Sequence, residues 1–213
     1  MCVRAIIPFK PVNPKTRLSC ILTQEEREAF ARVMLDDVVD AVSGAGCAVT
    51  LLCTHPFEHA VAATAFNEAG LNEALNACLQ KRTQPVLIIM SDLPLITAES
   101  VRRLLGTASD LAIAPGRGGG TNALFIRKPQ AFHVDFYGAS FCDHVNIARK
   151  AGLSVDVIDS FRLHTDVDEK EDLVEILLHA PGRTRKYLAD LGFSLSVEKG
   201  RVGVQRNPHK EAR

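Results

Sequence analysis

Three cations crowd one short stretch near the start of the chain. In Phe9-Lys10-Pro11-Val12-Asn13-Pro14-Lys15-Thr16-Arg17-Leu18-Ser19, the residues Lys10, Lys15 and Arg17 fall within eight positions, on a segment stiffened by Pro11 and Pro14. Arg offers a fork that matches phosphate oxygens and Lys offers a point charge, so such a loop can fold around a triphosphate. The same residues also suit a solvated loop. It is not a Walker A loop, because no glycine precedes Lys15 and the G-x-x-x-x-G-K-[ST] frame is absent.

Carboxylates supply the complementary chemistry. Asp92, in Met90-Ser91-Asp92-Leu93-Pro94, directly follows an apolar run, where it can hold Mg²⁺ against substrate phosphates or cap the turn at Pro94. Asp166 and Asp168 stand two apart, so on an extended chain both face one side. They either complete a metal site with Asp92 or charge the start of the next helix. Four glycines in five positions (Gly116, Gly118, Gly119, Gly120) let backbone N–H groups converge on an anion, or simply form a hairpin loop. They are not a dinucleotide fingerprint, because that motif needs a helix next and Ala123–Ile126 reads as strand. Thr121 and Asn122 can both hydrogen-bond a phosphate or carboxylate. Ser140, after Phe136-Tyr137-Gly138-Ala139, reads as a helix N-cap, a place that also favours an anion. His55-Pro56-Phe57-Glu58-His59 matches a zinc-peptidase pattern, but Pro56 leaves His55 outside the helix that chemistry requires. No Ser-His-Asp or Cys-His constellation stands out, and most of the seven histidines are expected at the surface.

These residues need a scaffold that brings them together. Val3–Pro8, Ala48–Cys53, Val86–Met90, Leu111–Ala114, Ala123–Ile126 and Val155–Ile158 read as strands, Val86–Met90 as one buried on both faces. Thr23 and Glu26 form a capping box ahead of a helix that Gly44 and Gly46 stop. Asn72–Leu79, Ala98–Leu105, a stretch from Ser140 and Glu169–Leu178 complete the helices. The alternation predicts an α/β fold with a mostly parallel sheet covered on both faces, and ligands in such sheets bind beyond the carboxyl ends of the strands. The 213 residues suit one domain, 1–213, with a polar tail from Gly200 expected to fray from about 207. Lys and Arg total 25 and Asp and Glu total 25, so the balance argues against nucleic acid or an anionic membrane as partner. No signal peptide or membrane span is evident. The six scattered cysteines (Cys2, Cys20, Cys47, Cys53, Cys78, Cys142) read as reduced thiols of a cytoplasmic protein.

The stretches IPFKPVNPKTRLS, MSDLPL, PGRGGGTNALFI, FYGASF and TDVDEKEDLVE run from position 6 to position 175. Together they resemble the 2-phospho-L-lactate guanylyltransferase family, which acts in making the deazaflavin coenzyme F(420). KTRLS and SDLP recur in several nucleotidyltransferase families, whereas GGGTNALF with YGASF is more particular. The resemblance implies a GT-A-like nucleotide-diphospho-sugar transferase fold, a three-layer sandwich. It implies GTP as donor, 2-phospho-L-lactate or phosphoenolpyruvate as acceptor, Mg²⁺ as cofactor and a homodimer. By motif, Lys10, Lys15, Arg17 and Ser91 would meet the donor. Asp92 with Asp168 or Asp166 would hold metal, and Lys15, Arg17 and Asp92 would be catalytic. Gly119, Gly120, Thr121, Asn122, Gly138 and Ser140 would hold the acceptor. An acceptor phosphate is already ionised near neutral pH, so no protein base is required. Cytidylyl transfer to an alcohol phosphate or guanylyl transfer to a pterin would keep the fold, and a silent nucleotide-binding module would keep the loops without releasing pyrophosphate.

Overall fold

The computed structural model describes residues 3–207. The chain runs β1 (Arg4–Phe9), α1 (Gln24–Gly44), β2 (Ala48–Cys53), β3 (Ala63–Phe66), α2 (Leu71–Gln80), β4 (Val86–Ile89), α3 (Ala98–Leu105) and β5 (Leu111–Pro115). It continues through β6 (Thr121–Ile126), α4 (Ser140–Lys150), β7 (Val155–Val157), α5 (Phe161–His164), α6 (Leu173–His179), α7 (Arg183–Asp190), β8 (Phe193–Glu198) and β9 (Arg201–Arg206).

Alternation along the central strands dictates the layers. On β1, Ala5, Ile7 and Phe9 enter one apolar cluster and Ile6 enters another. On β4, Leu87 and Ile89 go one way, Val86 and Ile88 the other, and all four are fully buried. Strands apolar on both faces must be covered on both. Leu35, Val38 and Val42 of α1 with Val101 and Leu104 of α3 cover the first face, while Leu75 and Leu79 of α2 with Val145 and Ala148 of α4 cover the second. Each such fully buried Leu, Ile or Val contributes about 1.5–3 kcal/mol. The expected three-layer α/β sandwich is present.

The sheet order is β3-β2-β1-β4-β6-β5-β7. Every pairing is parallel except those of β6, which runs antiparallel to β4 and β5. The chain leaves β1 towards β2 and β3, then returns to β1's other side with β4. That reversal opens a crevice beyond the carboxyl ends of β1 and β4.

The capping box forms in full, with Glu26 N–H donating to Thr23 Oγ1 and Thr23 N–H to the Glu26 carboxylate. Gly44 is still helical and the stop falls at Gly46, whose φ is 90°. The helix expected over Glu169–Leu178 is a 3-10 turn at Lys170–Asp172 followed by α6. Not expected were β3, the short α5, α7 and the β8–β9 hairpin, so residues 201–206 pair as a strand rather than forming part of a polar tail. The fraying expected beyond 207 lies outside the described residues. The hairpin closes a third apolar cluster, in which Phe193, Val204, Leu188 and Ile176 meet Phe30, Met34 and Leu18.

Candidate active site

The loop after β1 carries two non-glycine residues in left-handed backbone, Asn13 (φ 47°) and Lys15 (φ 48°). Each costs of order 1–3 kcal/mol and persists only where neighbours enforce it. Helix α1 does so. Glu28 accepts the Asn13 N–H at 3.0 Å, and the buried Arg27 guanidinium donates to the Pro14 carbonyl. Leu18, fully buried, anchors the following turn in the third cluster. Lys15 is thereby aimed across the crevice, its Nζ 2.5 Å from Asp92 Oδ2 and 2.7 Å from Asp168 Oδ1. Burial alone would lower the Lys15 pKa, but the two carboxylates outweigh it and hold the ammonium above its ordinary value. Burial likewise pushes Asp168 upward, and Lys15, then Arg17, outweigh it and leave that carboxyl below the usual range. Arg17 is more exposed, with Nη1 3.8 Å from both Asp168 and Glu169.

The D-x-D pair divides its work. Asp168 faces Lys15, whereas Asp166 Oδ1 accepts from Arg117 N–H at 3.2 Å and Asn122 Nδ2 at 3.3 Å. It is Asp172, not this pair, that accepts the N–H groups of Asp168 and Glu169, both at 2.8 Å. Asp172 also takes the Arg117 guanidinium, which ties the glycine-rich loop to the acidic segment, a link the sequence did not advertise. Burial, then the negative charge of Asp92, raises the Asp166 carboxyl above its ordinary value. Asp92 Oδ1 is buried with no hydrogen-bond partner. An orphaned carboxylate oxygen beside a repelled carboxyl fits a divalent cation. Among the described residues no three potential ligands stand as a ready cage. Mg²⁺ needs only one or two carboxylates plus phosphate oxygens. Asp92 with Asp168 or Asp166 would supply them.

These groups form one end of a cleft of about 520 Å³. Lys10, Lys15, Arg17, Ser91, Asp92 and Asp168 line its polar end, and Leu52, Leu71 and Ala74 line an apolar wall. Thr54 and Asn67 lie on the rim of that wall. The sequence did not single these out: Asn67 follows β3, a short and largely exposed strand, whereas Thr54 directly follows the expected β2 and could have been found by the same reasoning from strand ends. A volume of this size with a charged end and an apolar wall suits a nucleotide.

The other expected residues gather beside the cleft rather than in its lining. Thr121 opens β6, and Ser140 Oγ lies 3.3 Å from Thr121 Oγ1. The Gly119 α-carbon faces Ala139 across the same gap, and Gly118, Gly119 and Gly138 all adopt positive φ. Gly120 turns the chain into β6, its carbonyl accepting the Gly116 N–H at 2.8 Å. Ser140 is not an N-cap: Ala139 holds that position, and the Ser140 side chain turns inward. Asn122 is committed to the Leu163 and His164 carbonyls at 2.9 and 3.2 Å, so it braces Asp166 and has little left for a ligand. Among the described residues three histidines depart from the surface placement expected of most: His144, His59 and the half-buried His164, whose Nδ1 is buried without a hydrogen-bond partner. His144 is fully buried against Thr121, and His59 bonds Asp36 through Nε2 at 3.0 Å while Nδ1 accepts two backbone N–H groups, leaving no nitrogen for zinc.

A solved structure from Desulfovibrio desulfuricans G20, assigned as a nucleotide-diphospho-sugar transferase, superimposes with a TM-score of 0.75 at 20% identity, covering 89% of this chain and 95% of that one. The sheet order and its covering helices are those of the nucleotide-diphospho-sugar transferase-like fold, which a nucleotidyl transferase from Methanothermobacter thermautotroptrophicus also shares, with a TM-score of 0.63 at 11% identity, covering 89% of this chain and 99% of that one. The chain is 61% identical over 214 aligned positions to the 2-phospho-L-lactate guanylyltransferase of Methanoculleus marisnigri, covering all of both, and 55% identical to that of Methanoregula boonei over 97% of this chain and 96% of the relative. Residues 3–207 match the family described as "Guanylyl transferase CofC like", and the chain belongs to that family.

Proposed function

We propose that this protein transfers GMP from GTP to 2-phospho-L-lactate or phosphoenolpyruvate, using Mg²⁺ and releasing pyrophosphate, with residues 1–213 as one nucleotidyltransferase domain. The observation that carries the reading is Lys15, held in left-handed backbone with its ammonium between Asp92 and Asp168 at the charged end of the cleft. Cation and carboxylates so placed can receive a metal–triphosphate as a unit. The relatives' names support guanine and phospholactate as the particular substrates.

An acceptor phosphate oxygen attacks the α-phosphorus in line. The new P–O bond forms as the α–β bridge breaks, and pyrophosphate carries off the electron pair. Lys15 and Arg17 neutralise charge on the departing diphosphate, and Lys10 and Ser91 hold the donor. Asp92 and Asp168 (or Asp166) keep the metal when it is bound, where it would offset charge developing on the triphosphate. Thr121, Ser140 and the backbone at Gly119, Gly120 and Gly138 fix the acid, with Asn122 bracing from behind. Catalysis by positioning and charge neutralisation is sufficient for phosphoryl chemistry of this kind. A homodimer and a cytoplasmic setting belong to the same reading. Among the described residues no helix is long and apolar enough to cross a membrane.

The test is product identity. The protein is incubated with GTP, MgCl₂ and each acid in turn, and products are identified by mass. A guanylylated acid with stoichiometric pyrophosphate is expected; GTP recovered intact with both acids would remove the reading.

A further inference from the structure

His144 lies one helical turn beyond Ser140 on α4, fully buried between the rings of Phe132 and Phe136. Its two nitrogens are not equivalent. Nε2 lies 3.0 Å from the Asp135 N–H, a group that can only donate, so Nε2 accepts and carries no proton. The proton of the neutral ring is therefore on Nδ1, 2.9 Å from Thr121 Oγ1. Burial keeps the ring in this neutral form near pH 7.

The consequence passes to the two hydroxyls. Thr121 Oγ1 receives the His144 Nδ1–H and lies 3.3 Å from Ser140 Oγ. Thr121 and Ser140 have two hydroxyl protons between them. One is used in the bond that joins them, and the imidazole, being a donor, takes neither. One proton remains, on a pair that adjoins Gly119 and Ala139. A nearly buried pair polarised in this way keeps one hydroxyl donor unspent within the protein, which is what a carboxylate or phosphate oxygen seated against it requires.

We infer that His144 is a positioning residue for the acceptor: from behind Thr121 it fixes the proton direction of the Thr121–Ser140 pair so that the pair donates to an anionic oxygen of the phosphorylated acid. This rests on the function proposed above, and it assigns His144 a part at the acceptor end and none at the nucleotide end.

Two variants separate the role from mere packing. In His144→Asn, the amide N–H can stand where Nδ1–H stood and still donate to Thr121, whereas Asp135 N–H loses its acceptor. In His144→Leu both bonds are lost. Both variants should melt earlier than wild type. His144→Leu is expected to raise the KM of the acid by about ten- to a hundredfold, the loss of one hydrogen bond to a charged group, with the KM of GTP within about twofold. His144→Asn should recover most of that loss. Folded variants with unchanged acid KM, or with acid and GTP constants rising together, would overturn the inference. Ring ¹⁵N spectra of the wild-type protein give an arm that needs no turnover: Nδ1 protonated and Nε2 bare is expected, and the reverse tautomer overturns the inference whatever the activity. Wild-type protein that makes no adduct with either acid overturns the proposed function, and with it His144's assignment to an acceptor, even if the tautomer is as expected.

Discussion

At the scale of single residues, Lys15 does two jobs that exclude one another. Its ammonium neutralises Asp92 and Asp168 in the structure, yet under the proposed function it would turn to phosphate when a nucleotide arrives. A lysine this close to two carboxylates competes with any divalent cation for them. Lys15→Met is therefore expected to bind Mn²⁺ alone about tenfold more tightly than wild type, read by EPR of free Mn²⁺, while turnover falls by at least about a hundredfold. Equal Mn²⁺ affinities would show that the ammonium does not stand in the cation's way. Asp92→Asn should abolish turnover with the fold intact by circular dichroism, and wild-type rates in that variant would defeat its role as metal ligand. His144 gives a pH signature. Burial, with a smaller push from His133, lowers its pKa from 6.5 to about 4 against the opposing pull of Asp135. The unfolded chain then takes up a proton that the folded chain refuses. The stability this contributes is complete above pH 6.5 and drains away as the pH falls towards 4, by about 3 kcal/mol over that window. Urea midpoints between pH 7 and 4.5 should fall more steeply for wild type than for His144→Asn; parallel curves would place the acid sensitivity elsewhere.

At the scale of elements, what the sequence disclosed follows from how local each cause is. The capping box at Thr23, the apolar run of β4 and the helix Ala98–Leu105 are written in neighbouring residues, and the structure has them where they were expected. Asp92 and the basic loop were legible because each lies within a few residues of a strand's end. Other elements owe their existence to distant partners. β3 is a largely exposed edge strand kept extended by its pairing with β2. The β8–β9 turn uses Lys199 and Gly200 at φ 49° and 77°, a two-residue hairpin easily mistaken for the start of a tail. Half the residues of helix α7 are charged, and its N-cap position is held by Gly182, which has no side chain to cap with. Its cap comes from α1: Asp37 accepts Arg183 N–H, Thr184 N–H and Thr184 Oγ1–H at 3.1, 3.0 and 2.6 Å. Asp37→Ala should cost about 1–3 kcal/mol and lower Tm by roughly 2–4 °C per kcal/mol. Gly182→Ala should show a similar loss, since a Cβ there would sit 2.5 Å from Asp37 Oδ1. Unchanged melting in both would mean that α7 does not depend on this cap. His144 was hidden for the same reason: its partners, Thr121 and Asp135, lie on two other segments of chain.

At the scale of the whole molecule, equal numbers of acidic and basic residues mean that any attraction for phosphate must come from a local cluster, such as the cations lining the rim where β1 and β4 end. That rim is buttressed from the far end of the sequence. Phe193 and Val204 of the hairpin share the third cluster with Leu18, and the Arg206 guanidinium reaches the Ile21 carbonyl at 2.9 Å and the Glu26 carboxylate. A chain cut before Phe193 is expected to expose this cluster and to lose both turnover and melting cooperativity, measured by differential scanning calorimetry; full activity in the shortened chain would show that the buttress is dispensable. During synthesis the basic loop is made well before its clasp, the hairpin of residues 193–206. Helix α1 can brace the loop as soon as it forms, but Leu18 gains Phe193 and Val204 as neighbours only after all seven strands of the main sheet, the last ending at Val157, have been made.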